Sequence, residues 1–263
     1  MDVINSKYRE ESTIKALLED YQSASPYPHI VMDNFLSQEF ADSLSNNFPE
    51  IEKLDIHWKG LNENKSEGAS FDMYHDDFKK MKSTITSSQF YDWIEQVTGV
   101  KDGLITDDKL GCGVHQGKDG SFLDVHVDFN MHHLNNKYRR LNLLVYLNPG
   151  WKTEEYGGEL EMWNANMTKC EKKVAPIHNR AVIFETNHYS YHGYSQISLP
   201  PDVFRRSFYA YVYTDDQGNQ KSYHDTTFKA RPDDNTSKKV KTAAKETLKN
   251  GVKKTLKKLG IKF

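Results

Sequence analysis

Between residues 110 and 214 the chain breaks into short apolar runs, each about one strand long. They are LGCGVH (110–115), SFLDVHVDF (121–129), RLNLLVYLN (140–148), GGELEMW (157–163), RAVIFE (180–185) and FRRSFYAYVYT (204–214), with Gly, Pro, Asn or Asp between them. Short strands at that spacing favour a β-sandwich or jelly roll over alternating βα units. No internal repeat is evident.

The first hundred residues read differently. Residues 8–22 carry Ile14, Leu17, Leu18 and Tyr21 at helical spacing. HIVMDNF reads as a short strand, and Ser37 as the cap of a helix with Phe40, Leu44 and Phe48 on one face. Residues 87–97 look helical, whereas the polar, Gly-containing stretch 59–70 reads as a loop. Residues 59–80 are also a candidate substrate lid. The expected architecture is mainly β with flanking α. One domain spans 1–230, with a helical part (1–105) and a β core (106–230). Residues 231–263 form a linker (231–237) and a basic tail helix.

Composition narrows the class. Thirty-two aromatic residues in 263 argue against disorder. No apolar run approaches the roughly 20 residues of a membrane span, and the first residues lack the apolar segment of a secretory signal. Cys112 and Cys170 alone make neither a disulfide framework nor a Cys-only zinc site. The cytoplasm is the expected compartment.

The chemistry starts at His126-Val127-Asp128. Residues i and i+2 of a strand share a face, so an imidazole and a carboxylate converge. A third ligand from another strand would complete two histidines and one carboxylate, a set that leaves positions open on non-haem Fe(II). His192 in SYHGY and His188 compete for that place; either also reads as a surface histidine near a loop. In the last strand Arg205, Ser207, Tyr209 and Tyr211 share one face, and Arg206, Phe208, Ala210 and Val212 the other. A buried Arg among aromatics requires an anionic partner, which is either an ordinary acidic side chain or a carboxylate ligand gripped by the guanidinium fork.

With these residues in view, the chain resembles the Fe(II)/2-oxoglutarate-dependent dioxygenases, prolyl-4-hydroxylase-like branch. The resemblance runs from about Pro26 to Asp215. It rests on PYPHIVMDNFL, GCGVHQGKDGSFLDVHVDFN, RRLNLLVYLNPGW, YGGELEMW, NRAVIFETN, SYHGY and FRRSFYAYVYT, taken in order. It implies a double-stranded β-helix of jelly-roll or cupin type. It implies Fe(II) held by His126, Asp128 and His192, with 2-oxoglutarate and O₂ as co-substrates and ascorbate as a reductant. The co-substrate's far carboxylate would meet Arg205, two residues before the small Ser207, and the hydroxyl of Tyr146. Arg206 is the alternative, because strand parity read from sequence can slip by one. The presence of Asp128 favours hydroxylation over halogenation. The substrate class stays open among protein side chains, amino acids, saccharides and lipid-linked molecules. A non-catalytic jelly-roll binding protein is the rival from another class.

Three further groups of residues complete the reading. Gly157 and Gly158 permit a tight turn into a core strand that would wall the iron site. His115, Gln116 and Asn130 are candidates for the mouth of the site. His132 and His133 read as loop residues with a surface role.

The tail stands apart in charge. Residues 235–263 carry ten Lys and one Glu, whereas the preceding residues carry 25 basic and 36 acidic side chains. Val240, Ala244, Leu248, Val252, Leu256 and Leu259 recur every three or four positions, as in a cationic amphipathic helix. Its expected partner is an anionic membrane surface, a polyanion bound without sequence specificity, the domain itself or a second subunit. No sequence-specific nucleic-acid binding is expected, and the oligomeric state is open.

Overall fold

The computed structural model describes residues 1–218 and 223–258. The strands are β1 (His29–Asp33), β2 (Ile56–Lys59), β3 (Glu63–Gly68), β4 (Cys112–Gly117), β5 (Phe122–Val127), β6 (Tyr138–Tyr146), β7 (Leu160–Trp163), β8 (Cys170–Val174), β9 (Arg180–Glu185), β10 (His192–Tyr194), β11 (Arg205–Thr214) and β12 (Thr227–Phe228). The α-helices are α1 (Glu11–Ser23), α2 (Gln38–Asn46), α3 (Asp76–Ile85), α4 (Ser88–Thr98), the single turn α5 (Thr153–Tyr156) and α6 (Thr236–Lys258). All pairings between named strands are antiparallel.

The strands run in the order β1-β9-β6-β11-β4-β3-β5-β10-β7-β8. This is the double-stranded β-helix that the resemblance implies, a form of the jelly roll that the strand spacing favours. One half, β1-β9-β6-β11-β4, is buried on both faces, as RAVIFE in β9 illustrates. Ala181 and Ile183 join the core beneath the helices, while Val182 and Phe184 face the interior with Tyr146, Leu160 and Met162. Period-two side chains with two apolar sets explain the continuous hydrophobic run.

The N-terminal helices cover the outer face of that half. α4 buries Phe90, Trp93, Ile94 and Val97 at positions i, i+3, i+4 and i+7. Ser87 caps it, with its hydroxyl accepting from the Phe90 amide, and Gly99 ends it at φ +74°. The Trp93 indole also donates to Tyr8 O at 2.7 Å. Each such side chain contributes about 1.5–3 kcal/mol by leaving water.

Two sequence expectations change here. Residues 59–70 are mostly strand: β2 and β3 form a hairpin, and β3 joins β4 to β5. This strand carries no apolar residue because its inward side chains, Lys65 and Glu67, line or edge a polar pocket. The linker expected at 231–237 begins on a buried anchor, since Arg231 pairs with Glu161 (2.9 Å) and Asp124 (3.1 Å).

The tail is helical, but its face is not the expected one. Thr242 and Glu246 are buried, Lys238 reaches Asp124, Lys245 reaches Asn62 and Lys249 reaches Thr226 O. Val240 and Leu248 are 62% and 70% exposed. At 3.6 residues per turn, steps of four drift about 40° each, so Val240, Ala244 and Leu248 keep within about 80° of one another, on the side turned away from the domain. The described part of the helix therefore rests on the domain through its polar side. Leu259 lies outside the described residues. Among the described residues no helix is long and apolar enough to cross a membrane.

Candidate metal and co-substrate site

β5 and β10 are hydrogen-bonded neighbours with His126 opposite His192. Asp128 follows two residues after His126, on the same face. One donor atom from each of the three lies within 4.8 Å of the others, and all three residues are buried. His126 Nε2 stands 3.4 Å from Asp128 Oδ1, and His192 Nε2 stands 3.4 Å from Oδ2. His126 Nδ1 is bound to Asp124 O and His192 Nδ1 to Ser190 O, each at 2.9 Å. The backbone thus holds the proton on Nδ1 and turns the Nε2 lone pair inward. Burial, with the His126 ring beside it, pushes the His192 pKa down to about 4, so this imidazole is a neutral ligand at pH 7.

The carboxylate is braced from behind. Asn142 donates to Asp128 Oδ2 at 2.7 Å, and the Arg139 guanidinium lies 3.2 Å from the same oxygen. Burial opposes ionisation, but Arg139 and the two histidines outweigh it and hold the Asp128 pKa well below the usual range. An anionic carboxylate with two imidazole Nε2 atoms turned inward fits a divalent iron.

The pocket extends from this group to Arg205, and His115, Tyr146, Tyr194, Ser207 and Lys65 also line it. Arg205 is buried; its Nε donates to Gly158 O at 2.8 Å, and its guanidinium lies 4.1 Å from the Tyr194 ring centre. No carboxylate among the described residues pairs with it. The Tyr146 hydroxyl is buried nearby without a well-formed hydrogen bond. A buried cation and an under-used hydroxyl fit the far carboxylate of a dicarboxylic acid. Arg206 faces the other way, against Phe48 and Phe204.

A model of the 2OG-Fe(II) oxygenase superfamily matches residues 112–213. The matched stretch includes His126, Asp128, His192 and Arg205. The chain shares its fold with a prolyl-4-hydroxylase of Pseudomonas putida, at 17% identity over 80% of this chain and 100% of the other, with a TM-score of 0.57. It shares it also with a prolyl hydroxylase of Trichoplax adhaerens, crystallised with a peptide fragment of a hypoxia-inducible factor. That match has 16% identity over 79% of this chain and 95% of the other, with a TM-score of 0.55. No curated protein matches. The family's requirements are Fe(II), 2-oxoglutarate and O₂, and the His126, Asp128 and His192 group suits the iron.

Other candidates sort by place. His188 stands outside the metal-competent group. His115 lines the pocket, stacked on Tyr209 at 4.2 Å. Gln116 turns its amide away, between Pro49 O and Arg206. Asn130 is a buried brace whose Oδ1 accepts from the His224 amide. His133 is exposed, as expected, but His132 is buried and pairs with Asp108 at 2.9 Å, which corrects its surface assignment. Gly158 does more than turn the chain. It has φ +76°, and an added Cβ would lie 2.8 Å from Ile197 and 3.2 Å from Arg205 Cδ.

The pocket residues missed in the sequence are Lys65, Arg139, Asn142 and Tyr194. Asn142 carried a usable signal, as a polar residue inside the apolar run LNLLVY. Lys65 carried none, since it sits in a stretch that is polar throughout.

Proposed function

We propose that the protein is a hydroxylase. It couples oxidative decarboxylation of 2-oxoglutarate to insertion of one oxygen atom into a C–H bond of a second substrate. His126, Asp128 and His192 hold Fe(II), and Arg205, Tyr146 and Ser207 hold the far carboxylate of 2-oxoglutarate. The observation that carries this reading is a buried His–Asp–His group sharing one pocket with a buried Arg that has no carboxylate partner among the described residues.

The bound iron supplies open coordination positions for the keto acid and O₂. The chain's residues do the rest. The Asp124 and Ser190 carbonyls fix the imidazole tautomers, Asn142 and Arg139 hold Asp128 in its anionic pose, and Gly158 aims Arg205. The apolar wall of Leu144, Leu160 and Phe184 limits water. The carboxylate occupies the place a halide would need, so hydroxylation is the reaction. Ascorbate serves as reductant.

The second substrate is a protein side chain, an amino acid or a saccharide-type molecule. The peptide bound to the Trichoplax relative puts peptides first in a screen. Residues 1–230 form the catalytic domain, and the tail braces it rather than acting on substrate.

The test is Fe(II)-dependent conversion of 2-oxoglutarate to succinate, followed by a mass-spectrometric screen for a product heavier by one oxygen atom. The wild type releases succinate, and His126→Ala and Asp128→Ala do not. Undiminished succinate from both variants overturns the reading.

A further inference from the structure

We propose that Lys65, on the strand that closes the barrel, is a second cationic anchor for the far carboxylate of 2-oxoglutarate, facing Arg205 across Gly117. The proposal rests on the reading of the pocket as a 2-oxoglutarate site.

The register places the two cations in one row. On β11 and β4, Arg205 lies opposite Gly117 and Arg206 opposite Gln116. On β4 and β3, Gln116 lies opposite Ser66 and His115 opposite Glu67. Continuing that register sets Lys65 beside Gly117. Arg205 and Lys65 therefore sit two strands apart, about 10 Å between backbones, and both side chains line the same pocket. The residue between them has no side chain. A Cβ at Gly117 would come within 2.9 Å of Ser121 Cβ, so Ser121 takes the place a side chain would fill there. Both long cationic side chains nevertheless reach the pocket that Tyr146 and Ser207 line.

Electrostatics agrees with the placement. Besides burial, both Lys65 and Arg205 lower the pKa of His115, and both work against the rise that burial gives the Tyr194 hydroxyl. Burial works against the Lys65 charge, but Glu67 at 3.0 Å outweighs it and the ammonium stays protonated. That ammonium has three donors, and Glu67 takes one. Glu67 is itself shared, since His115 Nε2 lies 3.4 Å from its carboxylate. Lys65 also lines the groove on the outer side of the hairpin, with Trp58 and Lys118. It thus stands at the wall between bound co-substrate and solvent.

The test compares two keto acids on the Mn(II)-loaded protein by calorimetry. One is 2-oxoglutarate; the other is 2-oxobutyrate, which keeps the chelating end and lacks the far carboxylate. Lys65→Met is expected to weaken 2-oxoglutarate about tenfold or more and to leave 2-oxobutyrate and Mn(II) affinities unchanged. Lys65→Arg restores most of the loss. Glu67→Gln, which frees the ammonium and removes a negative charge, keeps or tightens 2-oxoglutarate binding. Unchanged 2-oxoglutarate affinity in Lys65→Met overturns the proposal. So does an equal loss of both keto acids, or weakened binding in Glu67→Gln. A wild type that binds 2-oxobutyrate and 2-oxoglutarate equally also overturns it, whereas one that binds Mn(II) but neither acid overturns the co-substrate reading beneath it.

Discussion

Asn142 donates to Asp128 Oδ2 at 2.7 Å, and it does so from β6, the strand that also carries Tyr146. The amide fixes which way the carboxylate faces. Asn142→Leu keeps the volume and removes the donor, so Asp128 is free to rotate toward Arg139 alone. The expected outcome is a loss of metal affinity of about 10–100-fold, measured by Mn(II) titration followed by electron paramagnetic resonance. Wild-type affinity in the variant would show that Arg139 alone suffices.

His115 gives the metal-free protein a pH-dependent stability of known sign. Burial, reinforced by the charge on Lys65, lowers its pKa from 6.5 to about 4. The unfolded chain therefore takes up the proton first as pH falls. The stability from this group is present above pH 6.5, is lost between 6.5 and about 4, and changes no further below. At 1.36 kcal/mol per unit the loss is roughly 3 kcal/mol. Urea unfolding at pH 7 and pH 4.5 compares wild type with His115→Gln, whose stability is expected to fall less. Parallel losses in the two proteins would remove His115 as the source.

The residues that were legible in the sequence share one property: their chemistry shows in a two-residue period. His126, Asp128 and the β11 alternation announce their faces because strands project side chains alternately. Tyr146 and His192 followed from the resemblance, and both line the pocket. Lys65 and the hairpin were not legible, because a strand whose inner face is polar lacks the apolar alternation that marks strands. The tail misled for the opposite reason. Its apolar residues do share one side, but the contacts that dock it on the domain are made by Lys238, Thr242, Glu246 and Lys249.

That docking predicts an asymmetry. Arg231 holds Glu161 and Asp124, whose residues are 5% and 1% exposed, while Val240 and Leu248 point outward. Arg231→Ala leaves Glu161 without its cationic partner, at a cost of about 3 kcal/mol. Val240→Ser with Leu248→Ser removes apolar surface that water already reaches, and stability stays within about 0.5 kcal/mol. Chemical denaturation of the full chain reads both. A large loss in the double serine variant would mean that the outward face is covered, and sedimentation of that variant against wild type would show by what.

The two arginines of β11 provide the sharpest separation, since they differ by one position and face opposite ways. Arg205 enters the pocket beside Tyr146 and Tyr194, held at Nε by Gly158 O. Arg206 packs on Phe48 and Phe204, and burial lowers its pKa. Arg205→Met removes the fork that grips a carboxylate while keeping an apolar stem against the rings. Its KM for 2-oxoglutarate is expected to rise about tenfold or more, with 2-oxobutyrate binding little altered. Arg206→Met keeps the stem on Phe48 and removes a charge that lies outside the pocket, so the KM stays within about twofold, the range of half a kcal/mol. A large KM effect from Arg206→Met with none from Arg205→Met would mean that β11 is shifted by one residue. Ser207 and Tyr209 would then also leave the pocket face, because a one-residue slip turns every side chain of a strand to the other side.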